Sequence, residues 1–313
     1  MNNFLKQARQ SILLATMGTL ALVLAGCSDG SSSQNSALSV SITDAPVDGV
    51  QAVVIEFTKV QVNSSSGTLD FTLETPKQID LLQLTNGRSE FLLDEQILAA
   101  GEYQWIRLFV DVTDTTHSYV TDSTGDHPLE IPSNDQTGLK INRPFSISTD
   151  GTAAFVIDFD LRKSLHLPSS AGRPYKLRPT LRMVSATVVG GITGTVDTTL
   201  VDDPACTDLN ASGGTVGGSV YVYSGASVIP VDVNINLTTV QPLSTGSVTL
   251  NSNDSSWHYT LAFLEPDMDY TVAFTCHASL DDPDTSDTSV VFHTPETVHV
   301  ISGTTTHDIH DAP

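Results

Sequence analysis

Positive charge is scarce in this sequence and stops early. Against 36 Asp and Glu there are 14 Lys and Arg, a net charge of −22, and no Lys or Arg follows Arg182. A polyanionic surface without a basic patch repels a phosphate backbone, so nucleic acid is excluded as a partner. Cysteine is scarce as well, with three residues in all, too few for a disulfide-dense scaffold or a cysteine cage for zinc. No His-Glu-x-x-His motif occurs, which removes the commonest zinc-hydrolase arrangement. Long apolar runs are missing apart from residues 11–24, and that run is shorter than the roughly 20 residues a spanning helix needs. Heptads and repeats of solenoid period are absent too.

What is present begins at the N-terminus. Lys6 and Arg9 form a short cationic start before the apolar run, the pattern of a signal peptide, predicted over residues 1–26. At its end Leu24-Ala25-Gly26-Cys27 resembles the lipobox of bacterial lipoproteins. The resemblance implies cleavage before Cys27 and a diacylglyceryl group on its thiol, hence attachment to a membrane without a spanning helix. Residues 27–36, CSDGSSSQNS, then read as the lipidated cysteine and a flexible tether. By the sorting habit of such lipoproteins, Ser28 in the place of an aspartate implies delivery to the outer membrane.

With Cys27 assigned to lipid, Cys206 and Cys276 remain, and an even pair in an exported, oxidising compartment predicts a disulfide. Charge divides the rest of the chain. Residues 187–313 hold 16 Asp and Glu without any Lys or Arg, whereas residues 28–186 hold 20 acids and 12 bases. That asymmetry predicts two domains, at 37–186 and 187–313.

Hydrophobic patterning makes both all-β. In VQAVVIEFTKVQV (50–62), Val53, Ile55 and Phe57 alternate with Val54, Glu56 and Thr58, and in YQWIRLFVDV (103–112) Ile106, Leu108, Val110 and Val112 share one face. AAFVIDFDL (153–161) and YKLRPTLRMV (175–184) add strands, and only IDLLQL and SEFLLDEQIL (89–98) suggest short helices. In the second domain GSVYVYSG, VDVNINLTTV, GSVTLNS, HYTLAFL, DYTVAFTC, SVVFHT and TVHVISG come at the spacing of a β-sandwich. The expected architecture is therefore two β-sandwiches after a cleaved leader and a tether.

Several of these segments, in order, carry a family resemblance. LSVSITDAPVDGVQAVVIEFTKVQV, IDLLQLTNG, AGEYQWIRLFV, TGLKI, FVIDFDLRKSL and YKLRPTLRMV resemble the successive motifs of the DUF4382 family of exported lipoproteins. This implies an all-β extracytoplasmic domain and no particular activity. The second domain is similar to carboxypeptidase-regulatory-like or transthyretin-like sandwiches through GITGTV, GGSVYVYSG and YTLAFLEPDMDYTVAFTC, although LEPDMDY has Asp267, Met268 and Asp269 where such modules use a glycine.

Candidate chemistry is confined to acids. Asp281, Asp282, Asp284 and Asp287 in DDPDTSD could offer oxygens to Ca²⁺, the one cofactor considered. Asp44 in TDAP and the pair Asp158 and Asp160 in DFD read as a structural polar cluster, with Arg162 or Lys163 neutralising the pair. Tyr221 or Tyr223 could face outward. No catalytic residue is assigned. The expected function is a membrane-anchored, non-enzymatic envelope lipoprotein binding a protein or glycan; the alternative is an envelope hydrolase using a carboxylate pair on glycans or peptides.

Overall fold

The computed structural model describes residues 36–132, 138–166, 173–206, 216–238, 240–286 and 288–310. These fall within one compact unit, 34–313. Its strands are β1 (Ser36–Thr43), β2 (Ala52–Ser64), β3 (Gly67–Asp80), β4 (Glu90–Leu98), β5 (Gly101–Asp111), β6 (Tyr119–Asp122), β7 (Gly125–Glu130), β8 (Leu139–Ile141), β9 (Phe145–Ile147) and β10 (Thr152–Asp158). There follow β11 (Leu165–His166), β12 (Tyr175–Leu177), β13 (Arg182–Ser185), β14 (Gly190–Val196), β15 (Val216–Ser224), β16 (Ser244–Asn251), β17 (Ser256–Leu264), β18 (Met268–Thr275), β19 (Glu296–Val300) and β20 (Gly303–Thr306). The protein is all-β; the α-helical pieces among the described residues are single turns, α1 (Leu161–Ser164) and α2 (Thr198–Val201).

In the N-terminal half a four-stranded sheet, β13-β10-β1-β4, shares one core with a nine-stranded sheet, β11-β12-β7-β6-β2-β5-β8, to which β3 adds on β2 and β9 on β5. The alternation in β2 and β5 sets the core face: Val53, Ile55, Phe57, Ile106 and Leu108 are all fully buried. A bulge between Phe57 and Lys59 then shifts the inward phase of β2 by one residue, so that Val60 and Val62 stay inside. Without it the strand would turn its second half to solvent. Phe57 meets Phe159 edge to face at 5.8 Å, which ties the two sheets together.

The segment 89–98 is not helical but forms β4, paired with β1. Its apolar residues imitate a helical spacing because the ladder slips twice against β1, and Glu95 sits at φ 45°. IDLLQL does supply one 3₁₀ turn, Leu81–Leu84, capped by the Asp80 carboxylate.

The C-terminal half is one seven-stranded sheet, β19-β18-β15-β16-β17-β14-β20. β19 and β20 belong to opposite edges, yet only Ile301 and Ser302 separate them. Two residues reach about 10 Å at most, so the sheet curls until its edges meet and encloses a core of its own, barrel-like in section. Closure needs a glycine at the joint: a Cβ on Gly190 would lie 2.3 Å from Val300 Cγ1. In the turn between β17 and β18, Asp267 takes φ 58°, the left-handed conformation that Asp tolerates better than most residues.

Two expected strands are missing from this sheet. The described residues of 231–240 form none, because Val231 and Val233 fold back under Tyr223 and the Asn234 side chain closes a turn onto Asn236 N–H. Residues 289–294 likewise stay outside the strands. Tyr221 and Tyr223, considered as outward-facing, are fully buried in this smaller cluster on the reverse face of β15.

Candidate functional site

The site grows from the three acids of the polar cluster. β10 ends at Asp158, so Asp160 leaves the strand and caps α1 from a left-handed conformation, φ 36°. Asp44, on the chain leaving β1, accepts from Leu161 N–H at 3.0 Å. Asp158 accepts from Asp160 N–H at 3.3 Å and from Arg182 Nη2 at 2.7 Å, while Lys163 pairs with Asp160. All three acids are buried. Burial raises Asp44 well above the usual carboxylate range, and raises Asp160 too, against the pull of Lys163. The structure thus brings Asp44, Asp158 and Asp160 together, with Lys163 and Arg182 as the neutralising cations; the Arg162 guanidinium goes elsewhere.

Arg162, only 2% exposed, projects from α1 into the C-terminal half. Its Nη1 donates to Ala278 O at 2.7 Å, Nη2 to Asp48 Oδ2 at 2.8 Å and to Ser219 Oγ at 3.3 Å, and Nε to Thr245 Oγ1 at 3.3 Å. The guanidinium also lies 5.5 Å from the Tyr221 ring centroid. Tyr221 Oη in turn donates to Asp281 Oδ2 at 2.7 Å. The neighbouring cations follow the same direction: Lys163 Nζ donates to Leu243 O at 3.0 Å, and Arg182 Nη1 to Phe263 O at 2.7 Å. His166 and Arg178 both meet Asp284, at 2.9 and 3.2 Å. The charge asymmetry of the sequence is therefore spent at a seam, where cations of the N-terminal half enter a half that has no Lys or Arg.

Beside Arg162 this seam leaves a pocket of about 160 Å³, with Val47, Asp48 and Leu165 on one wall and Leu280, Asp281 and Pro283 on the other. Burial pushes Asp281 up to about 6 from the usual 3.8, against the lowering by the Tyr221 hydroxyl and Arg162. The folded chain thus holds this proton to about pH 6, whereas the unfolded chain releases it near 4. The stability linked to this group is complete below about pH 4 and is lost as pH rises through 6, a change of roughly 2–3 kcal/mol. Asp281→Asn is expected to remove that slope. The check is the difference in urea midpoint between wild type and variant from pH 4 to 7.

The expected calcium ligands do not converge. Asp281 faces Tyr221 and Val233 N–H, Asp284 faces His166 and Arg178, and Asp282 Oδ1 accepts from Asp284 N–H at 2.9 Å in a local turn. Among the described residues they form no group of three ligand atoms near one another. Asp287 lies outside the described residues, as does Cys27. Cys206 and Cys276 are joined in a disulfide, with Cα atoms 5.4 Å apart.

The roles of Arg162, Asp48 and His166 were not legible in sequence. The available signal was the crowding of eight cations between Lys140 and Arg182 just before the basic residues end.

The fold and the seam define a class: an all-β protein of two joined cores whose charged residues face each other internally. Residues 35–179 match the family described as Domain of unknown function (DUF4382). The match stops short of β13, the strand that completes the four-stranded sheet by pairing with β10. No curated protein matches the chain.

Proposed function

We propose that this protein is a lipid-anchored envelope lipoprotein that acts as a non-enzymatic binding module, and that the pocket beside Arg162 receives one side chain or sugar residue of a protein or glycan ligand. The observation that carries this reading is the pocket's position between two β-units held by the Arg162 contacts, because ligand sites favour such junctions and need rigid walls. Its small volume suits a single residue of a ligand, and its apolar walls with the Asp48 and Asp281 carboxylates suit a group with hydroxyl or amino donors. The acids that suggest a hydrolase argue in the same direction. Asp158 and Asp160 are buried against Arg182 and Lys163, whereas glycoside hydrolysis places its two carboxyls on either side of a sugar-sized cleft. The lipobox-like Leu24-Ala25-Gly26-Cys27 supports attachment to the envelope, with the outer membrane as the destination implied by Ser28.

The test is to incubate the purified protein with cell-wall glycans and envelope protein, and to measure both retention and released product. Retention without product is expected, together with its loss in Leu280→Trp, which fills the pocket from a residue already 42% exposed. Product release that disappears in a folded Asp158→Asn variant would establish the hydrolase instead.

A further inference from the structure

A second group of three side chains meets in the N-terminal half. Glu56 and Asp111 are directly opposite each other in the β2–β5 ladder. Two carboxylates at such a pair repel, and a sheet normally avoids the arrangement or places a cation between them. Among the described residues no Lys or Arg is paired with either of them. The side chain that reaches them is His117, from the loop between β5 and β6, with Nδ1 2.9 Å from Glu56 Oε1. Donor atoms of Glu56, Asp111 and His117 all lie within 4.8 Å of one another, the one such group of three among the described residues.

The surroundings hold these donors in place. Ser118 Oγ accepts from Glu56 N–H at 2.9 Å and donates to Asp111 O, which ties the loop to both strands. Thr113 fixes one oxygen of Asp111 through its N–H at 2.9 Å and its hydroxyl at 2.7 Å. Gln78 Nε2 donates to His117 O at 3.2 Å and so anchors the histidine backbone from the other side. Asp114 Oδ1 stands 4.0 Å from His117 Nε2 and adds negative potential. Glu56 is 9% exposed and His117 remains half-open to solvent, so a bound ion would keep positions for water.

We propose that Glu56, Asp111 and His117 form a binding site for a first-row divalent metal ion of the Zn²⁺ class. Ligands around Zn²⁺ at about 2.0–2.2 Å are roughly 3–4 Å apart, so donors now within 4.8 Å of one another need to close by about 1–2 Å at most. The imidazole nitrogen selects against Ca²⁺ and Mg²⁺, which take oxygen ligands, and the carboxylates select against Cu⁺, which takes thiolates. The contact of His299 with Asp269 at 2.8 Å offers two donors on an exposed surface, as does that of His258 with Asp254 at 3.2 Å. They serve as internal controls.

The experiment is calorimetric titration of the EDTA-stripped, purified full chain with ZnCl₂ and separately with CaCl₂, alongside thermal melts in each salt. One Zn²⁺ per chain is expected, with a melting temperature raised by several degrees. Ca²⁺ should leave the melt unchanged. Glu56→Gln, which preserves shape, should weaken Zn²⁺ at least tenfold; His117→Ala should abolish binding, and His299→Ala should leave it intact. Circular dichroism establishes that each variant folds, and the His117 ring resonances should shift on Zn²⁺ addition. Absence of Zn²⁺ binding, binding that survives both Glu56→Gln and His117→Ala, or a Ca²⁺ response of the same size would each overturn the proposal.

Discussion

Replacing Arg162 by methionine is expected to lower the free energy of unfolding by about 3 kcal/mol, near the lower end of what losing one partner of a buried ion pair costs. The change takes the guanidinium donor from Ser219 and Thr245, leaves Ala278 O with the Asp281 N–H at 3.2 Å, and removes the ring contact with Tyr221. Each buried polar group left unpaired adds to the loss. Asp48 tempers it, because its side chain is 30% exposed and can regain water. Lysine should restore only part of the stability: it keeps the charge, but its single ammonium cannot reproduce a fork that serves four acceptors. Asp48→Asn should cost less than Arg162→Met, because an amide oxygen can still accept from the guanidinium although the buried charge loses its counter-ion. Urea unfolding followed by tryptophan fluorescence, with Trp105 in one half and Trp257 in the other, reads both halves. A loss under 1 kcal/mol for Arg162→Met would mean that the seam is held by apolar packing and not by this side chain.

Removing the disulfide is expected to have the larger effect. Cys206 and Cys276 are separated by 70 residues, and closing a loop of that length stabilises by about 4 kcal/mol through the entropy of the unfolded chain. Both cysteines are 2% exposed and belong to the C-terminal core, so the paired substitution Cys206→Ala with Cys276→Ala should lower the melting temperature of that half first. His277 Nε2 contacts Ala205 O at 3.0 Å, a link that persists without the sulfur bridge but is exposed and weak. Ala278, whose carbonyl takes the Arg162 donor, lies two residues from Cys276. The disulfide and Arg162 variants should therefore fail to add, and a double-mutant cycle measures that coupling. Strict additivity would mean that strand β18 and the segment after it transmit nothing to the seam.

How much of this was readable in advance depended on how local each cause was. The strand over residues 103–112 could be read because burial on one face of a sheet imposes a period of two on its own residues, and Ile106, Leu108 and Val110 obey it. The disulfide followed from counting cysteines. The strand over 90–98 was misread because two slips in its ladder with β1, invisible until β1 is placed beside it, spaced its leucines as a helix would. The segment 231–240 was misread in the opposite sense: its alternation is real, but the residues pack beneath Tyr223 and turn at Asn234 without gaining a neighbouring strand. Asp44, Asp158 and Asp160 were recognisable as a cluster from their place around strand ends, and of the two cations expected beside them Lys163 does pair with Asp160, whereas Arg162 goes elsewhere and Arg182, beyond the reach of a local reading, pairs with Asp158.

By itself, then, the sequence determined the all-β class, the pairing of Cys206 with Cys276, and the uneven charge of the two halves, since each depends on composition or short-range periodicity. Only the tertiary structure decided where that charge goes. Arg162 bypasses the acids beside it and reaches partners 57 to 116 residues away along the chain on its C-terminal side, because α1 points it across the seam. The acids of DDPDTSD are separated for the same reason: Asp281 is held by Tyr221 and Asp284 by His166 and Arg178. A charged side chain settles where burial and hydrogen bonding together cost least, and that depends on which surfaces meet.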